Sequence, residues 1–243
     1  MASHAVPDHK AAVIAFYSQW DGERTYVHPR TVVRTLTQRR LPPNARILDI
    51  GFGNGEIALA VAQAFPQGFV EGMDLTERNV ALAETKARER GISNVRFWRE
   101  DVERWQPPAG RYDGVIAMQV MQFIAEPDEL IRRVFRALRP GGAFLFATPF
   151  LPADPDLHPF FLDAYARVVP NSFQYRTEDA WYESLFDAGF ERIYTAKAHW
   201  DPNTQPQDWQ AAYRRAVAEH GLDFETARRH TWGGLISARR PAS

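Results

Sequence analysis

The 243-residue chain has a net charge of -1 and no cysteine. That length buries a core for one large domain or two small ones, and the balanced charge leaves no overall electrostatic footprint for nucleic acid or an anionic membrane. The lack of thiols excludes disulfides, thiolate zinc sites and cysteine nucleophiles. No apolar run reaches the ~18 residues of a membrane span, and no basic segment followed by an apolar stretch opens the chain. A cytoplasmic protein without nucleic-acid or membrane partners is expected, and a homodimer is compatible with it.

Residues 1–9 read as disordered. From Lys10 the pattern turns helical, with Ala12, Val13, Ala15, Phe16 and Trp20 as apolar members, and a second helix is predicted over residues 29–39. Pro42-Pro43-Asn44 separates this start from the stretch around which the chain is organised, R-I-L-D-I-G-F-G-N-G-E at residues 46–56. Ile47, Leu48 and Ile50 suit a buried parallel strand. Gly51, Gly53 and Gly55 then alternate, allowing positive φ and close approach of backbone N–H groups to a ligand. A helix carrying Ile57, Leu59, Ala60, Val61, Ala64 and Phe65 follows at once, its N-terminal N–H groups facing whatever the loop holds.

Spacing separates the ligand classes. Counted from Gly51, the third glycine of G-x-G-x-x-G is replaced by Glu56; counted from Gly53, the run ending at Ala58 fits the looser G-x-G-x-x-A, so a dinucleotide is disfavoured but stays open. No Lys followed by Ser or Thr comes after the loop, so a P-loop is absent. A second strand over residues 68–74 ends in Asp74, whose carboxylate can accept from ribose hydroxyls, which implies a nucleoside. Thr76 is an N-cap for a helix with Val80, Leu82 and Ala83, closed by Gly91. Pro127 and Gly141-Gly142 bracket another helix, with Leu130, Ile131, Val134, Phe135 and Leu138 on one face.

This alternation predicts an α/β fold, a doubly wound and mostly parallel sheet with helices on both faces. Ligands of such sheets sit beyond the carboxyl ends of the strands, where Asp49, Asp74, Asp101 and Met118 all fall. Singly, Asp49 could bond its own loop, Asp74 cap the next helix and Asp101 occupy a solvated turn. Together, at three successive strand ends, they favour one shared ligand.

D-I-G-F-G-N-G with Asp74 closing the next strand resembles the first two motifs of class I S-adenosylmethionine-dependent methyltransferases. Trp98-Arg99-Glu100-Asp101-Val102, the run from Tyr112 through Gln122, and Leu138-Arg139-Pro140-Gly141-Gly142-Ala143-Phe144-Leu145 resemble the family's third strand end, fourth strand and fifth-strand turn, in that order. The resemblance covers residues 44 to 148, with an echo at Asp187-Ala188-Gly189-Phe190. It implies seven strands, the last antiparallel over residues 232–238, and S-adenosylmethionine as cofactor with S-adenosylhomocysteine as product and no metal. It also implies cofactor contacts from Asp49, Gly51, Phe52, Gly53, Asn54, Gly55, Asp74, Leu75, Asp101 (to the adenine amino group), Val102, Met118 and Gln119. The segment 17–28 would cover the cofactor, with Tyr17 or Tyr26 near the methionyl carboxylate and Arg24 as an ion-pair partner. Gln122 reads equally well as an ordinary helix-start residue.

One methyltransferase domain is expected: a helical cap at 1–41, a cofactor-binding core at 42–148, acceptor-lid segments at 149–176 and 200–231, and the end of the core at 177–199 and 232–240. The four prolines of residues 149–159 argue against regular helix or central strand, and Phe160, Phe161, Tyr165, Phe173 and Tyr175 make the lid aromatic. A helix from Thr177 to Ala188, a strand over 191–199 and a helical insertion over 206–229 around Trp209, Tyr213 and Val217 follow.

Methyl transfer is an in-line displacement in a site that keeps water out. If the acceptor carries a proton, a base helps: His158 in the lid is the first candidate and Tyr165 the second, with His28 and His199 as rivals. The exit Ala117-Met118-Gln119 lacks the D-P-P-Y type turn used on base amino groups and the Asp of magnesium-dependent catechol-type enzymes. A small, apolar or aromatic acceptor methylated at O, C or N is the expectation. A regulatory protein that holds the cofactor without transferring its methyl stays open. An RNA methyltransferase is disfavoured by the charge balance, and a nucleotide-dependent oxidoreductase by the glycine spacing.

Overall fold

The computed structural model describes residues 10–11, 13–15, 27–168, 174–205 and 207–242. Seven strands form one sheet in the order β3-β2-β1-β4-β5-β7-β6. They are β1 (Arg46–Ile50), β2 (Phe69–Asp74), β3 (Val95–Arg99), β4 (Tyr112–Met118), β5 (Leu138–Phe150), β6 (Glu191–His199) and β7 (Trp232–Arg239). β1 to β5 pair in parallel, and β7 runs antiparallel between β5 and β6. Chain order reverses direction at β1 and β4, the switch point where such sheets open a crevice for ligand. All seven residues of β4 are buried, as expected of a strand covered on both faces.

Alternate side chains feed two cores. Ile47, Ile116 and Leu145 join a cluster with α1 (Pro29–Gln38), α2 (Glu56–Ala64) and α3 (Glu77–Glu89), through Val32, Leu36, Leu59, Val80 and Ala83. Leu48, Val115, Phe144 and Phe146 face the other side, against α4 (Pro127–Ala137) and α6 (Glu178–Asp187) through Leu130, Val134, Trp181 and Leu185. Thr76 caps α3, its hydroxyl accepting from Asn79 N–H, and Thr177 caps α6 in the same way through Ala180 N–H.

Two boundaries differ from the sequence expectation. The helix predicted to run to Gly141-Gly142 stops at Ala137, and Leu138 opens β5 with ψ of 146°. Pro140 explains it, since the ring clashes with a helical Arg139. Further on, β5 continues through Pro149 and Phe150 despite the proline. β4 has ended opposite Ala147, so Pro149 pairs only with β7, at Gly233, on a locally free edge where its missing N–H costs nothing.

The two insertions pack on each other. α5 (His158–Val168) lies against α7 (Gln207–Glu219), with α8 (Phe224–Arg229) beyond, and Phe160, Phe161, Tyr165, Tyr213 and Val217 form a third apolar cluster. The single helical insertion expected over 206–229 is thus two helices, parted at Gly221 with φ of 63°. Among the described residues no helix is long and apolar enough to cross a membrane.

At the amino ends of the strands, Glu71 of β2 is 4% exposed and grips two guanidinium groups, Arg111 at 2.7 Å and Arg46 at 3.1 Å. Burial by itself would raise its pKa; the hydrogen bonds from Arg111 and Arg46 win and hold it at about 2. A carboxyl depressed on folding adds stability above its unfolded value, lost as pH falls from about 4.5 to about 2. Glu71→Gln should therefore cost about 2–4 kcal/mol at pH 7. In urea titrations the gap between variant and wild type should close as pH is lowered through that window.

Candidate functional site

Three glycines shape the turn out of β1, each for a different reason. Gly51, Gly53 and Gly55 all have positive φ, at 65°, 57° and 78°. A Cβ on Gly51 would lie 2.5 Å from Val120 Cγ2, so the loop presses against the β4 exit. A Cβ on Gly55 would meet Ala83 Cβ at 2.7 Å, which seats α2 on α3. Around Gly53 there is open space within 4 Å, on the ligand side of the loop. Glu56, which displaces the third glycine of the dinucleotide pattern, bonds Lys86 (2.7 Å) and Arg90 (2.7 Å) of the next helix and its following turn. The hydrogen bond from Arg90, then that from Lys86, outweigh burial and hold its pKa at about 2.

The loop is fastened by Asp74. Its Oδ2 accepts from Gly53 N–H (2.9 Å), and its Oδ1 accepts from Thr76 N–H (2.9 Å), Thr76 Oγ1 (3.0 Å) and Asn79 Nδ2 (3.1 Å). Burial raises its pKa, opposed by these four bonds. Oδ2 keeps one lone pair for a further donor. Asp49, at the end of the adjacent strand, is 1% exposed, and its Oδ2 is buried with no hydrogen-bond partner among the described residues. Burial first, and the charge of Asp74 second, push its pKa well above the usual carboxylate range. A buried acceptor aimed into a crevice is a group in need of a donor.

These residues line one cavity at the carboxyl ends of β1, β2 and β4. Of the expected contacts, Asp49, Gly51, Phe52, Gly53, Asn54, Asp74, Leu75, Asp101, Val102, Met118 and Gln119 are in the lining. Gly55 is not, and its role is the packing just described. Asp101 is already engaged: Oδ2 meets Lys10 Nζ at 2.6 Å, and Oδ1 accepts from Glu103 N–H at 3.0 Å. Lys10 also reaches Glu103 at 2.6 Å. Tyr17, Arg24 and Tyr26 lie outside the described residues.

The base candidates lie outside this lining. His158 Nε2 is 2.8 Å from Pro152 O at the start of α5. Tyr165 is buried among the insertion aromatics, its hydroxyl donating to Phe150 O at 3.3 Å, and burial ahead of the neighbouring Tyr175 and Tyr213 hydroxyls raises its pKa well above 10.0. His28 caps α1 by accepting from Arg30 N–H, and His199 Nε2 bonds Arg228 O at 2.6 Å.

Other lining residues escaped sequence reading. Thr76 and Asn79 carried a legible signal, a cap spacing directly after Asp74. Lys10, Glu103, Phe123 and Ile124 had none, because folding alone brings them to the crevice. Among the described residues, no group of three or more His, Asp or Glu side chains is placed to hold a metal ion.

Residues 47–142 match a family described as "Methyltransferase domain". A malonyl-[acyl-carrier protein] O-methyltransferase of Paenibacillus sp. is 25% identical over 79% of this chain and 74% of its own length. A trans-aconitate 2-methyltransferase of Variovorax paradoxus is 33% identical over 56% of this chain, which spans about half (49%) of that relative. The crystal structure of the Bacillus subtilis protein YcgJ superposes with a TM-score of 0.72 at 20% identity, covering 89% of this chain and 100% of that one. With the glycine loop, the paired strand-end carboxylates and the seven-stranded order in place, the chain is similar to class I S-adenosylmethionine-dependent methyltransferases, with the methyltransferase-domain match covering residues 47–142.

Proposed function

We propose that this chain transfers the methyl group of S-adenosylmethionine to a small-molecule acceptor with an apolar or aromatic body. The observation that carries the reading is the buried Asp49 Oδ2 beside the glycine loop, without a partner among the described residues, a site for a cationic ligand next to a second carboxylate with a lone pair to spare. The cofactor, when bound, supplies an electrophilic methyl on a positively charged sulfur. Asp49 would face its positive portion, Asp74 Oδ2 its ribose hydroxyls, and Asp101 the adenine once Lys10 shares or yields the carboxylate. The open side of Gly53 gives the backbone room to approach.

Met118, Val120, Phe123 and Ile124 give the cavity an apolar wall at the β4 exit, which excludes water from the reacting centre. The two interlocked insertions stand beyond the same edge of the sheet and are proposed as the acceptor lid. Relatives named for malonyl-acyl carrier protein and trans-aconitate support a small acceptor. An acceptor that arrives ionised needs no base, which fits His158 and Tyr165 being engaged elsewhere.

Two variant sets test this by calorimetry with S-adenosylmethionine, S-adenosylhomocysteine and NADPH. Gly53→Ala should fold with a loss of about 1 kcal/mol from its positive φ yet weaken the two sulfur nucleosides tenfold or more. Gly51→Ala adds the Val120 clash and should cost about 2–4 kcal/mol of stability. NADPH binding in place of the sulfur nucleosides would overturn the reading.

Ionised Asp49 opposes folding, an effect absent below its unfolded value near 3.8 and growing as pH rises above it. Asp49→Asn should thus raise the apo melting temperature by a few degrees at pH 7 and leave it unchanged near pH 3. The same variant should bind S-adenosylmethionine at least tenfold more weakly. In the wild type, binding should release a proton, seen as heats that depend on buffer ionisation enthalpy; heats independent of the buffer would count against Asp49 as the cation's partner.

A further inference from the structure

The β4 exit holds a polar pair whose arrangement the cofactor contact expected of Gln119 does not account for. Gln119, the first residue past β4, has a left-handed backbone with φ of 58°, a conformation that costs a residue with a side chain ~1–2 kcal/mol and concentrates at functional sites. Its N–H is tied to Ala147 O at 2.9 Å, and it lines the cavity next to Val120. Three residues on, Gln122 is 3% exposed; its Nε2 donates to Gln119 Oε1 at 3.0 Å, and its own Oε1 is buried without a partner. Gln122 is also clamped through its main chain, since its carbonyl accepts from Gln174 N–H at 3.1 Å on the segment returning from the first insertion.

The two ways of facing these amides are unequal. As arranged, the unpaired groups are one carbonyl oxygen and the second Nε2 N–H of Gln122. Turning both amides over would let Gln119 Nε2 donate to Gln122 Oε1, but would strand the two buried N–H donors of Gln122 instead. Orphaned buried N–H groups are rarer in proteins than under-satisfied carbonyls. The buried partner therefore keeps the Gln119 oxygen turned inward and leaves its NH2 for the cavity.

Resting on the methyltransferase reading above, we propose that Gln119 Nε2 donates to an ionised oxygen of the acceptor. The acceptor is then a carboxylic acid, and Gln122 is a positioning residue that sets the polarity of this contact. In the transfer an oxygen lone pair forms the new O–CH3 bond while the S–CH3 bond breaks and its electron pair stays on sulfur. The products are a neutral ester and a neutral thioether, and no proton has to be removed.

The test uses matched probes on the full chain: benzoate against benzylamine and octanoate against octylamine. Binding to the S-adenosylhomocysteine complex is read by calorimetry, and methylation by label from S-adenosylmethionine. The acids should bind and be methylated in preference to the amines, and Gln119→Ala should weaken the acids about 10–100-fold. Gln122→Glu keeps the side-chain volume but offers only acceptors, so the Gln119 NH2 turns inward and the acid-to-amine ratio should fall about tenfold or more. Gln122→Met, which keeps packing without polarity, should give a smaller fall, and both Gln122 variants should bind S-adenosylmethionine within about twofold of wild type. A purely structural role would weaken both probe types equally. The proposal is overturned if the complex binds none of the acids, prefers the amines, or keeps its acid-to-amine ratio in both Gln122 variants. Failure of the wild type to bind S-adenosylmethionine would instead sink the methyltransferase reading.

Discussion

The Asp74 carboxylate, buried at the end of β2 and accepting from Gly53, Thr76 and Asn79, joins three elements at one point. It fixes the loop after β1, ends the second strand and starts α3. Removing a charge from water on this scale is costly unless hydrogen bonds replace hydration, and here four of them do. Asp49, one strand over, has no such compensation on its Oδ2 among the described residues. The resulting asymmetry is the chemical character of the crevice: one carboxylate satisfied by hydrogen bonds, the other buried without them.

Small residues make that proximity possible. Gly72 of β2, paired opposite Asp49 of β1, is hemmed by Phe97 and Phe52, whose rings would lie 2.7 and 2.8 Å from an added Cβ. The two rings pack with centroids 4.6 Å apart and close the floor of the cavity at Phe52. Gly55 lets α2 settle on Ala83 of α3. Several of the chain's glycines thus act as spacers in helix–sheet packing, and only Gly53 of the loop presents its bare side to the ligand.

The far half of the molecule has a different logic. β7 and β6 finish the sheet, and the insertions before them bury their aromatics in each other, with Tyr213 against Phe160 and Tyr165 against Tyr175. Tyr213 also shares a hydrogen bond of 2.8 Å with Thr231, which ties this third core to the start of β7. Tyr165, which looks reactive in isolation, is absorbed by this packing, while His158 bonds Pro152 O at the start of α5. At the β4 exit, Gln119 bends away from the strand and Gln122 stands behind it.

The sequence by itself determined the glycine loop, the acidic strand ends, the strand and helix alternation and the caps at Thr76 and Thr177. Each of these rests on residues near one another in the chain, where backbone sterics and local hydrogen bonding decide the outcome. Only the tertiary structure decided which glycine serves packing and which serves the ligand, because that depends on whether Val120, Ala83 or open space lies opposite. It likewise decided that Asp101 meets Lys10, that Pro149 can extend β5 once β4 has ended, and that Gln122 backs Gln119 across a single turn. Contacts across 91 residues, as between Lys10 and Asp101, leave no periodic trace in the sequence; they arise when burial of the two cores brings strand ends and helix starts to one edge of the sheet.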